Sequence, residues 1–161
     1  MTITSIIVIE DSPKHQSDAT RVLTEQFGER PMIMSDLDRF MSMSTRFEKI
    51  LKSRKEAGAG EIGVLTDLYF PACDNHGELA PLGIVVMMKC RELGIPCVIV
   101  TSGHHHGLKY HQATSALRLL GMGNDTLVDH NPQGSPDEEA DTKDWARGLK
   151  NLLALAPNGA G

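Results

Sequence analysis

The chain alternates short, unbroken apolar runs with segments whose apolar residues recur every three or four positions. The first run, Ile6-Ile7-Val8-Ile9, is β-branched throughout, as a parallel strand covered on both faces needs to be. It stops at Glu10-Asp11. Ser12 then offers an N-cap hydroxyl, Pro13 suits a first helical turn, and Ala19, Val22, Leu23 and Phe27 follow at helical spacing up to Gly28. The same alternation continues. Met32-Ile33-Met34 is a short strand, and Ser35 or Asp36 can cap a helix that keeps Phe40, Met43, Phe47, Ile50 and Leu51 on one face. After a Gly/Ala break, Ile62 to Leu68 reads as a third strand carrying Asp67 near its end. A helix over Leu82 to Leu93 stops at Gly94, and Cys97 to Val100 forms the fourth strand. A helix from about Lys109 to Leu120 closes at Gly121, Thr126 to Val128 is the fifth strand, and the last helix turns Trp145, Leu149, Leu152, Leu153 and Leu155 inward.

Five strand–helix units predict an α/β fold, a doubly wound five-stranded parallel sheet with helices on both faces. The order 2-1-3-4-5 places the ends of strands one, three and four side by side. Two connections are long, Tyr69 to Pro81 and Asp129 to about Thr142, and both leave the carboxyl edge of the sheet, where open α/β sheets carry their sites.

Composition narrows the class. Hydrophobic residues are 40% and charged residues 23% of 161 positions, a globular balance that suits one domain over 1–156 with 157–161 as a frayed tail. Aromatics at 4% leave the core to aliphatic residues, with Met32, Met34, Met41, Met43, Met87 and Met88 as filling. A net charge of −5 directs the search away from nucleic acid. Cys73, Cys90 and Cys97 lack CxxC spacing and read as reduced thiols of a cytoplasmic protein. Met1 to Ile9 has no basic leader, and no run approaches the ~18 apolar residues of a membrane span.

The candidate chemistry is acidic. If strands one and three are neighbours, Glu10, Asp11 and Asp67 converge, and close carboxylates need protons, cationic partners or a metal. Hard oxygen ligands with room for water suit Mg²⁺. Taken singly, each acid is as well explained as a helix cap or a solvated loop residue.

Three stretches together carry a resemblance. IIVIEDSP at Ile6 to Pro13, VLTDLYFP at Val64 to Pro71 and VIVTSG at Val98 to Gly103 resemble, in order and spacing, the motifs of response-regulator receiver domains, a flavodoxin-like fold. The resemblance spans roughly Ile6 to Leu155. It implies that Asp67 is a phosphoacceptor, that Glu10, Asp11 and Asp67 hold Mg²⁺, and that Thr101 bonds a phosphoryl oxygen. It also implies a histidine kinase or phosphotransfer protein as donor and a downstream protein partner.

The sequence departs from that pattern after the fifth strand. Aligning on Pro132 puts Asn131 where the family has a lysine, so an amide replaces a cation. The next lysine, Lys143, reads as part of the last helix, and Lys109 is a further possible substitute. No aromatic residue stands just ahead of Asn131 to serve as the family's rotating switch. The run His104-His105-His106, with His111 and His130 nearby, is either a solvated loop, a contact to the acids, or a set of metal ligands. The loop containing Cys73, Asp74, Asn75, His76 and Glu78 reads as a surface insertion that could shield Asp67 or meet a partner. The leading expectation is a stand-alone receiver-like signalling module without an output domain, either phosphorylated on Asp67 or independent of phosphorylation. The alternatives are a metal-dependent phosphatase or hydrolase using the acids with His104 to His106, and a non-catalytic interaction scaffold.

Overall fold

The five apolar runs form five strands: β1 (Ile3–Ile9), β2 (Met32–Met34), β3 (Glu61–Thr66), β4 (Cys97–Thr101) and β5 (Leu127–Asp129). All pair in parallel in the order β2-β1-β3-β4-β5. The computed structural model describes residues 2–57, 60–73, 78–102, 108–123, 125–129 and 141–155, apart from the side chains of Glu48, Arg54, Lys55 and Lys109. Among the described residues, five helices connect or follow the strands: α1 (Pro13–Phe27), α2 (Leu37–Glu56), α3 (Gly83–Leu93), α4 (Leu108–Leu119) and α5 (Trp145–Leu155). None of the described helices is long and apolar enough to cross a membrane.

Strand alternation divides the core in two. On one face Ile7, Ile9, Val64 and Ile99 pack with Phe40, Phe47, Val86 and Leu117 of α2, α3 and α4. On the other, Ile6, Val8, Leu65, Val98 and Val100 pack with Ala19, Leu23, Trp145, Leu149 and Leu152 of α1 and α5. Each central strand is therefore apolar at consecutive positions because both of its faces are covered. The expected doubly wound sheet is the observed one.

Local details refine several sequence expectations. Gly28, Gly94 and Gly121 do end helices with positive φ of 88°, 69° and 74°, but Ser12 makes no side-chain cap. Its backbone N–H instead donates to Glu10 Oε1 at 3.0 Å. Asp36, rather than Ser35, caps α2 by accepting from the Arg39 N–H at 2.8 Å. Leu153 and Leu155 face outward, as do Met32, Met41 and Met88. Only Met34 and Met87 of the six methionines assigned to the core are buried, and Met43 is partly so. A helix offers the core a limited stripe, and Trp145, Leu149 and Leu152 already occupy it on α5.

Candidate acidic site at the carboxyl edge of the sheet

Strand register brings the acids together. Ile9 pairs with Thr66, and the Asp67 N–H donates to the Ile9 carbonyl at 2.9 Å, so Glu10 and Asp67 leave adjacent strand ends side by side. Each of Glu10, Asp11 and Asp67 presents a carboxylate oxygen within 4.8 Å of the others'. Glu10 and Asp67 are buried while Asp11 is partly exposed. The first turn of α1 holds this edge in place: Gln16 Nε2 donates to the Glu10 carbonyl at 2.7 Å, beside the Ser12 bond to Glu10 Oε1. Asp67 Oδ1 accepts from the Leu68 N–H at 2.6 Å.

A cation does reach the acids, from an unexpected place. Lys143 does not belong to the last helix; it lies just ahead of α5, which begins at Trp145. Its Nζ hydrogen-bonds Glu10 Oε2 and lies 2.8 Å from Asp67 Oδ2. Its side chain is only 3% exposed, so this is an ammonium enclosed with carboxylates. The ring of Trp145 lies 5.8 Å from the same Nζ. Downstream the chain is fixed at once, because Asp144 Oδ1 accepts from the Arg147 N–H at 2.9 Å and so caps α5.

One ammonium faces three carboxylates, and the titration behaviour follows. Burial opposes the charge on Lys143, yet Asp67 and Glu10 more than offset it and hold the ammonium above its ordinary range. The acids fare less well. Burial pushes the Glu10 carboxyl up to about 7, with Asp67 adding repulsion, although Lys143 and the Ser12 N–H pull the other way. Burial likewise raises Asp67 despite Lys143 and the Leu68 N–H. Two buried acids thus share one ammonium, and burial favours their protonated forms.

Three carboxylates at one edge, one of them open to water, are the oxygen donors that a hard divalent cation takes. If such an ion binds, Asp11 and Asp67 are the residues that could hold it, because the carboxylate oxygens of Glu10 already accept from Ser12 and Lys143.

Thr101 closes β4 in register with Asp129 and is buried. Asp129 accepts a hydrogen bond from the Tyr110 hydroxyl of α4, an aromatic contact at the end of β5 that the sequence alone did not suggest. The loop after Asp67 turns back on itself: Phe70, fully buried, bridges Ala80 in antiparallel fashion, and the Pro71 and Ala72 carbonyls accept from the Leu37 and Asp38 N–H groups. Cys73 is exposed; Cys90 and Cys97 are buried thiols. Asn131, His104, His105, His106, His130, Asp74, Asn75, His76, the Lys109 side chain and residues 156–161 lie outside the described residues.

Sequence reasoning missed Lys143 because alignment on Pro132 directed attention to Asn131. The usable signal was Lys143-Asp144-Trp145, a lysine immediately before a capping acid and a helix-opening aromatic. No protein-family model, no curated protein and no solved structure matches this chain.

Proposed function

We propose that the chain is a receiver-like signalling module that accepts a phosphoryl group on Asp67 in the presence of Mg²⁺. The observation that carries this reading is the contact of Lys143 with both Glu10 and Asp67 inside an acidic cleft at the carboxyl edge of a 2-1-3-4-5 sheet. That placement supplies the positive charge which Asn131 could not.

In the proposed step a carboxylate oxygen of Asp67 forms a bond to phosphorus. The bond from phosphorus to the donor atom breaks, and its electron pair leaves with the donor, acetate in the case of acetyl phosphate. Transfer of this kind needs positioning and charge stabilisation more than covalent assistance. Mg²⁺, when bound, supplies part of that stabilisation. Lys143 supplies the rest by moving its hydrogen bond from Asp67 Oδ2 to an oxygen of the arriving group. Thr101, which ends the neighbouring strand β4, would bond another phosphoryl oxygen. A histidine kinase or phosphotransfer protein would be the natural donor, and a protein partner would read the product.

Acetyl phosphate with Mg²⁺, followed by mass mapping of the adduct, tests the reading. A single phosphoryl adduct at Asp67, absent in Asp67→Asn, is expected. Labelling elsewhere, or none at saturating reagent, would refute it.

A further inference from the structure

Lys143 can serve the site only if the segment that carries it is held, and the structure contains a dedicated hold two residues upstream. Asp141 is gripped by consecutive residues of α1. Lys14 Nζ donates to the Asp141 backbone carbonyl at 2.7 Å and lies 3.6 Å from its Oδ2. His15 Nε2 meets Asp141 Oδ1 at 3.1 Å. The His15 side chain is 5% exposed, although it lies in the polar first turn of α1. A carboxylate partner places the proton on Nε2. His15 Nδ1 then carries a buried lone pair that has no partner among the described residues. An imidazole buried with half its hydrogen-bonding capacity unused is costly, so its one bond, to Asp141, is what the burial serves. Ser102, just past the end of β4, also helps hold the same carboxyl below its ordinary range, after His15 and Lys14.

The chain geometry shows what the hold does. Between Asp141 and the Asp144 cap of α5 lie only Thr142 and Lys143. Upstream the strap is pinned to α1, downstream to the helix, and between the pins the lysine reaches two carboxylates. The same first turn of α1 also fixes Glu10 through Gln16. One helical turn therefore aligns both the acid and its cation.

We propose that Asp141, clamped by Lys14 and His15, is a positioning residue that fixes the Lys143 ammonium at the acidic site. The proposal rests on the phosphoacceptor reading for its consequence in transfer, but the clamp itself can be observed separately. Two measurements are made on the full chain: the Asp67 labelling rate with acetyl phosphate, and the NMR signal of the Lys143 ammonium, whose burial should slow its proton exchange.

Asp141→Asn should lower the labelling rate about 10- to 100-fold, the scale of an ångström-sized misplacement. Mg²⁺ affinity should stay near the wild-type value. Lys143→Gln should lose at least as much, and Asp141→Asn added to it should cost nothing further, because Asp141 acts through the lysine. A merely structural role would instead make the two losses multiply, which would overturn the proposal. Lys14→Met, at a side chain that is 56% exposed, should produce a smaller loss in the same direction. In both Asp141→Asn and Lys14→Met the protected Lys143 signal should shift or broaden. An unchanged Lys143 signal in both variants would overturn the clamp even if labelling fell. Absence of labelling in the wild-type protein would instead refute the phosphoacceptor reading, and the ammonium signal would then decide the clamp alone.

Discussion

Glu10 is the residue on which the balance of the site turns. It is fully buried, it accepts from Lys143 and Ser12, and its carboxyl is still pushed up to about 7 because burial and Asp67 outweigh those partners. A folded-state value raised above the unfolded one means that the group contributes stability below its ordinary value of 4.5, lost as pH rises through about 7. Ionised Glu10 thus works against the fold of the metal-free protein at neutral pH. Glu10→Gln, which keeps the shape and can turn its amide oxygen toward Lys143, should raise metal-free stability at pH 8 by on the order of 2–3 kcal/mol. The gain should shrink as pH falls and vanish below about pH 4.5, where wild-type Glu10 becomes protonated in the unfolded state as well. Urea unfolding at several pH values would measure this, and a gain independent of pH would contradict the assignment.

At the scale of elements, glycine sites show how tightly the site's supports are packed. Gly83 opens α3 directly against the backbone at Asp67, and its N–H donates to the Leu68 carbonyl at 3.1 Å. A Cβ there would overlap the Asp67 carbonyl oxygen, a backbone atom that cannot yield without moving the acid. Gly148 on α5 is also close, but its Cβ would meet Val100 Cγ2 at 2.6 Å, the end of a side chain. Gly83→Ala should therefore cost about 3 kcal/mol or more, against about 1–2 kcal/mol for Gly148→Ala, on the usual scale of overpacking. Denaturant midpoints of the two variants would show the order, and a reversal would mean that the α3 start is free to shift.

The elements themselves were legible because their residues repeat a physical pattern. Continuous apolar runs at Ile6 to Ile9 and Cys97 to Val100, β-branched but for Cys97, read as strands covered on both faces, and the positive-φ glycines marked helix ends. The three acids were legible for the same reason, since each sits at or just past a strand end. His15 was not, because a polar residue in a polar helical turn gives no sign of burial until Asp141 is brought to it from the far end of the chain. Lys143 escaped for a related reason: its partners lie just past the ends of β1 and β3, far from it along the chain.

For the molecule as a whole, the clearest consequence is that a divalent cation should stabilise the fold. The chain carries a net charge of −5, and three of its acids meet at one edge of the sheet, where two of them share a buried ammonium. A ligand that binds only the folded state at ten times its dissociation constant adds ~1.4 kcal/mol. For a chain of this size that raises the thermal midpoint by roughly 3–6 °C. Trp145 is the protein's single tryptophan, buried and beside Lys143, so its fluorescence reports both unfolding and any change at the site. Mg²⁺ should raise the midpoint beyond what NaCl at matched ionic strength achieves, because bulk screening acts on every exposed charge and not on this cleft in particular. Asp11→Asn should remove most of the Mg²⁺ increment while leaving the NaCl response intact. The increment should also be larger at pH 8 than at pH 6, since protons compete with the metal for Glu10, whose carboxyl titrates near 7. Equal shifts with Mg²⁺ and NaCl in both proteins would mean that Lys143 alone satisfies the acids, and the cleft would then be an internal ion-pair cluster and not a cation site.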